Sequence, residues 1–382
     1  SINSSVISLI NQSIKTESIP IVYGIIIMDD TVTSSNATEI CALHIFKYET
    51  YSLIRFIYIV ISGLISIAGI GFNIILMVLF ANRSCATTPP TLYPSALALL
   101  DTIICACYTL IFFADAIINY LKIEYLFTLY YIYLIPIFTL SRFAQISIPY
   151  MLIFATIERY VWISEKRRIY SKSGRYACVA ITLGVCGLLR LPTMWALEVA
   201  SYPYCDDFFR TLTTQPANWT NEAEWFNFFD FQVLTIAQTF IPFFVLVIGN
   251  IIIVKKLIKS TEYASKKSIH EAATLEIAPF QHMYKARSTH TQVRSAILTM
   301  VAIVASYLLC NSLQLVLTWL EKSDSDLLID SEDPTKSSTF HTSFSDLISF
   351  VYMFTSAIRL FIYAICNNEI RRDLRAMLDF SP

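Results

Sequence analysis

The chain reads as an all-α membrane protein: a seven-transmembrane helix bundle followed by a short amphipathic eighth helix. Three observations predict this. Its 382 residues are 55% hydrophobic and only 15% charged, with a mean hydropathy of +0.56, against about 45–50% apolar and about 25% charged for a soluble domain. The apolar surplus is gathered into seven runs, each long enough to cross ~30 Å of hydrocarbon as a helix. Between the runs, loops rich in Lys and Arg alternate with loops rich in Asp and Glu, so a net charge of -1 conceals a strong polarity and gives no sign of nucleic-acid binding.

Residues 1–50 form a polar tail with N-x-S/T sequons at Asn3, Asn11 and Asn36, and this clustering predicts a glycosylated extracellular segment. IVYGIII within it is short and lacks a basic leading region, so no cleavable signal is expected there. A first span, about 51–81, sets Gly69, Gly71 and Asn73 in otherwise apolar helix. The small residues permit close helix contact, and Asn73 needs a polar partner inside the bundle. The second span, about 90–120, buries Asp101.

The third, about 130–163, reaches roughly 50 Å as a helix, carries Arg142 partway along and closes on Glu158-Arg159-Tyr160. Pro136 and Pro149 each remove a helix donor and predict bends above and below Arg142. A basic loop (Lys166, Arg167, Arg168, Lys172, Arg175) leads to the fourth span, about 176–199, which contains Arg190 and Pro192. A wet, acidic stretch follows to about residue 230, with Cys205 and a sequon at Asn218.

The fifth span, about 231–254, holds Pro242 and Asn250; a basic loop of ~35 residues, the sixth span (about 295–320), an acidic loop and the seventh span (about 344–366) complete the set. In residues 367–382 the apolar Ile370, Leu374, Met377 and Leu378 share one helical face, with Arg371, Arg372 and Arg375 elsewhere, as an interfacial helix requires. About 17 Lys and Arg then face inward against about seven outward, which places the N-terminus outside and the C-terminus in the cytoplasm of a multi-pass plasma-membrane protein. All four sequons of the tail and outer loops, Asn218 included, agree, and the one beginning at Asn82 falls inside, where it is expected to go unused.

Charges within spans mark the functional positions. Arg142 precedes Arg159 by 17 residues, ~25 Å nearer the outside, with Ser141 and Gln145 on the same face. Two readings stand: it meets a ligand carboxylate, or it is satisfied internally by Asp115, Glu198 or Asp346. Arg190 carries the same ambiguity. The acidic outer loops either steer a cationic ligand or are simply a solvated surface. Nine cysteines without CxxC spacing and five scattered histidines predict no metal and no cofactor. No nucleophile and base constellation suggests an enzyme, and no repeat between halves suggests a transporter or channel, the third choice.

Gly71 and Asn73, the run Leu97-Ala98-Leu99-Leu100-Asp101, Glu158-Arg159-Tyr160, Pro192, Pro242 and Tyr363 occur in the order found in rhodopsin-like (class A) G-protein-coupled receptors, and the chain resembles that family across all seven spans. It departs where the family has Cys-Trp-x-Pro in the sixth span (here Leu309-Cys310-Asn311-Ser312) and Asn-Pro-x-x-Tyr in the seventh (here Arg359-Leu360-Phe361-Ile362-Tyr363). It is similar to divergent nematode receptors, especially FMRFamide-type neuropeptide receptors and related chemoreceptors.

The resemblance implies an activation switch in which Glu158 holds Arg159 until a heterotrimeric G protein takes it, with Tyr160, Asn250, Tyr307 and Tyr363 as supporting residues. It implies a buried polar core of Asn73, Asp101 and Arg359, in which an Asp101–Arg359 pair replaces the family's sodium ion. A ligand pocket would be lined by Ser141, Arg142, Gln145, Gln238, Gln314 and Asp346. The family's disulfide to the third span lacks its third-span half, which leaves Cys205 with Cys41 as the expected partner; Cys366 is either a palmitoylation site or a buried thiol. The implied partners are the lipid bilayer, a G protein and an extracellular ligand. That ligand is an Arg-Phe-amide type of neuropeptide or, in the alternative, a small chemosensory molecule.

Overall fold

A computed structural model describes residues 53–81, 91–163, 172–203, 205, 207–274, 280–323, 326–328 and 338–378. The long helices are α1 (Leu53–Ala81), α2 (Leu92–Leu121, with a π turn at Thr109–Phe113), α3 (Glu124–Ile163), α4 (Lys172–Arg190), α5 (Ile241–Thr274) and α6 (Phe280–Lys322). After them come α7 (Thr339–Ala357), α8 (Arg359–Cys366) and α9 (Asn368–Leu378). Among the described residues six helices are long and apolar enough to cross a membrane, and the count is seven when α7 and α8, bent 45° to each other, are taken as one span.

The side chains of α1 show what surrounds the bundle. Ile54, Ile57, Ile61, Leu64, Ile67, Ile74 and Val78 recur at helical spacing and are all exposed, while Ser62, Gly63, Ser66, Gly69 and Asn73 point inward. Apolar groups outside and small or polar groups inside invert the water-soluble pattern and suit a helix whose outer face meets lipid. Helix α1 packs on α2 and α7, and α3 touches α2, α4, α5 and α6, so α3 is the central post. The core between them is built by Leu76, Leu97, Leu152, Leu246, Ile303 and Tyr363, among others.

The two predicted small-residue contacts separate. Gly69 is buried against the end of α7, where an added Cβ would stand 2.7 Å from Ala357 Cβ and 3.0 Å from Cys105 Sγ. Gly71, two residues on and therefore ~200° around the helix, is exposed with nothing within 4 Å, so its expected packing role is not found. Gly69→Val is expected to lower stability by about 1–3 kcal/mol through overpacking, with Gly71→Val near neutral. Melting curves of the two purified variants check this, and equal shifts would count against it.

Several boundaries differ from expectation. Helix α3 begins at Glu124, six residues before the predicted start, because Lys122 closes α2 in a left-handed conformation (φ 54) and the chain re-enters helix almost at once. Both Pro136 and Pro149 lie within this continuous helix. The fourth span, predicted to reach residue 199, is helical to Arg190, turns at Leu191 and Pro192 and closes with a helical turn at Thr193–Ala196. Leu197–Ser201 instead forms β1, paired antiparallel with β2 (Leu212–Pro216) in the register Leu197↔Pro216 through Ser201↔Leu212.

The basic stretch after the fifth span is helical over most of its length: α5 runs 34 residues and α6 43, roughly 50 and 65 Å, well beyond a hydrocarbon core. Helix α9 opens on Asn367, whose Oδ1 accepts from Glu369 N (3.0 Å). It buries Ile370 in the core, with Leu374 and Met377 packed against it, while Arg371 donates to the last carbonyls of α8, Ala364 and Ile365 (2.8 and 2.7 Å).

Candidate functional site

The polar groups inside the bundle fall at three depths. At the C-terminal end of α3, Glu158 and Arg159 are both buried (7% and 8% exposed). The expected Glu158–Arg159 ion pair is not formed; Glu158 Oε1 instead accepts from Arg175 Nη1 of α4 at 3.2 Å. Consecutive helical side chains project ~100° apart, and the carboxylate turns toward α4 while Arg159 turns into the bundle. Glu158 still stands close enough to favour the charge of Arg159, and Tyr363 lies in the same neighbourhood. Tyr363 itself is buried, packed edge-on against Phe80. Tyr160 is exposed, with Lys256 Nζ 4.4 Å over its ring. Tyr307 sits in the core, its carbonyl accepting from Asn311. Asn250, half-buried on α5, makes no hydrogen bond among the described residues.

At mid-depth Arg359 Nη1 lies 2.6 Å from Asp101 Oδ2, with the side chains 5% and 0% exposed. Neither end has the in-line geometry of a hydrogen bond, so this is a charge contact in a dry setting. Arg359 is the first residue of α8, and the break at Ile358 is what brings it to α2. The same break deprives the Ser356 carbonyl of a helical partner. Asn73 Nδ2 supplies one at 3.0 Å, and also donates to Gly69 O at 2.9 Å. Thus the polar partner Asn73 requires is the backbone of the broken seventh span.

Nearer the N-terminal end of α3, Ser141, Arg142 and Gln145 line a small cavity of about 50 Å³ together with Ile104, Tyr108, Phe138 and Tyr352. The other predicted pocket residues are elsewhere. Asp346 forms a two-pronged ion pair with Arg55 of α1 (2.9 and 3.3 Å). Gln238 accepts from Arg190, which also reaches Asp230 at 3.3 Å. Gln314, on α6, does not line the cavity. None of the three carboxylates considered for Arg142 pairs with it: Asp115 accepts from Asn119 (2.8 Å), Glu198 from Gln215 (2.8 Å) and Asp346 from Arg55. Arg142 contacts the Gln145 amide oxygen at 3.5 Å and the Phe138 ring at 4.9 Å.

Arg55, Arg175, Asp230 and Tyr352 were not singled out from the sequence. Arg55, Arg175 and Asp230 lie near span ends, where a charge reads equally well as solvated. Their pairing depends on which helices are neighbours. Of the outer features, Asn218 is exposed at the start of a helical turn after β2, and Cys205 is disulfide-bonded. The expected partner Cys41 and the sequons Asn3, Asn11 and Asn36 lie outside the described residues. Cys366 is a half-buried free thiol whose carbonyl accepts from Ser295. Among the described residues no group of three or more His, Cys, Asp and Glu side chains is arranged to hold a metal. No protein-family model matches the chain, and a search of curated proteins returned no match.

Proposed function

We propose that the chain is a cell-surface G-protein-coupled receptor, N-terminus outside and C-terminus in the cytoplasm, activated by an extracellular neuropeptide of the Arg-Phe-amide type. The observation that carries this reading is Arg159, buried at the inner end of the central helix within reach of Tyr363 on the broken seventh span. An arginine keeps its charge, so a movement that opens the inner face must give it a new acceptor, and a docked protein can provide one. Glu158 acts as the resting counter-charge, anchored by Arg175 rather than by Arg159 itself. The acidic outer loops support a cationic peptide. The small outer cavity favours a second reading, a chemosensory receptor for a small molecule.

The test is G-protein activation in cells expressing the chain. Glu158→Gln is expected to raise ligand-independent activation, because it removes the counter-charge of Arg159, Arg175→Gln to raise it less, because it frees the carboxylate but keeps its charge, and Arg159→Ala to abolish it. Activation no higher than in untransfected cells for wild type and for both latch variants would overturn the reading.

A further inference from the structure

The outer half of the bundle sets two arginines around one carboxylate. Arg142 of α3, Arg190 of α4 and Asp230, in the π-helical segment Phe228–Val233, lie within electrostatic reach of one another. Asp230 is committed to Arg190, which also takes the Gln238 amide oxygen. Arg142 is left with a long contact to a neutral amide and the face of Phe138, and among the described residues no carboxylate stands within ion-pair distance of it. A guanidinium cannot shed its proton to escape this. A half-buried charge of this kind is best satisfied by a partner, and a planar fork of donors suits a carboxylate.

The cavity beside Arg142 is of matching scale. At about 50 Å³ it admits a single small group rather than a whole ligand. Its polar wall is Ser141, Arg142, Gln145 and Tyr352, and its apolar wall includes Ile104 and Met353.

We propose that this cavity receives a carboxylate of the activating ligand, held by the Arg142 guanidinium, with the ligand's carbon frame against the apolar wall. The proposal rests on the receptor reading and adds the chemistry of the group recognised. In a peptide ending in Arg-Phe-amide the C-terminus is neutral, so the carboxylate comes from an acidic side chain; in a small molecule it is the acid itself.

Two sets of probes test this on the full chain purified in detergent: Arg-Phe-amide peptides carrying an Asp, each paired with the same peptide carrying Asn, and aliphatic and aromatic monocarboxylates, each paired with its primary amide. Thermal stabilisation is read in one arm and G-protein activation in the other. Acids are expected to act at concentrations roughly tenfold or more below their amides. Arg142→Gln should remove that difference and Arg142→Lys should keep part of it. Should Arg142→Gln fail to fold, Asp230→Asn replaces it: this variant leaves two cations without a resident anion and should raise acid affinity severalfold. The more potent set identifies the source of the carboxylate.

Equal response to acids and amides, an acid preference that survives Arg142→Gln, no gain in Asp230→Asn, or no acid that stabilises the wild type would each overturn the proposal. Stabilisation needs no G protein. Acid preference without signalling would therefore remove the receptor reading and leave the site, and signalling indifferent to the carboxylate would do the reverse.

Discussion

Asp101→Asn and Arg359→Gln are each expected to cost about 3–5 kcal/mol of stability, because each leaves one buried charge without its partner. Asp101 is fully buried and Arg359 nearly so, with 2.6 Å between them, so neither survivor has water to fall back on. The double variant Asp101→Asn/Arg359→Gln should lie closer to wild type than either single change, since a buried pair removed together is often nearly neutral. Exchanging the two residues should recover part of the loss. Melting of the four purified variants forms a double-mutant cycle, and an interaction energy near zero would show that the two charges are not coupled. On the receptor reading proposed above, sodium is expected to leave wild-type signalling unchanged, since the guanidinium holds the place a cation would take. Signalling that responds to sodium and is indifferent to Arg359→Ala would contradict this.

Phe127→Ala is expected to cost a comparable amount, about 3–5 kcal/mol. The ring is 2% exposed at the N-terminal end of α3 and meets the rings of Tyr131, Phe208 and Phe209 at centroid distances of 5.0, 5.6 and 5.2 Å. Phe208 and Phe209 belong to the link between β1 and β2, so this cluster ties the hairpin to α3 where no third-helix cysteine is present to do so. Proteolysis of the hairpin in purified Phe127→Ala and Phe127→Leu variants checks the role. Accelerated cleavage in the alanine variant, less in the leucine one, is the expected order; unchanged cleavage in both would show that the cluster is not a tether.

What the sequence made legible follows from what apolar runs can and cannot encode. Run length and loop charge placed α1 and α2 closely, and the demand of Asn73 for a polar partner was readable because an amide in hydrocarbon has no alternative. That Asp101 and Arg359 should meet was readable for the same reason. Partner choice among several candidates was not. Arg142 was offered three carboxylates, and Asn119, Gln215 and Arg55 hold them instead, a matter of which helix faces which. Arg175, 17 residues beyond Glu158, belonged to a basic loop that reads as solvated, and only the docking of α4 brings it to the carboxylate. The hairpin escaped because Leu197-Glu198-Val199-Ala200 continues an apolar helix as plausibly as it starts a strand, and its partner lies 15 residues away. Gly69 and Gly71 are alike in composition and differ only in which side of α1 they occupy.

The aromatic cluster at the head of α3 also sets an order of assembly. Phe127 leaves the ribosome about 80 residues before Phe208 and Phe209, the rings that cover it. During synthesis α3 must therefore be inserted with its outer end bare, and it is secured only after α4 has crossed and the hairpin has closed on the far side. Contacts so distant along the chain form late, because loop closure precedes their reward. Any change that delays the hairpin thus acts first on the newborn chain, as lost yield of inserted protein, before it is felt by the finished protein.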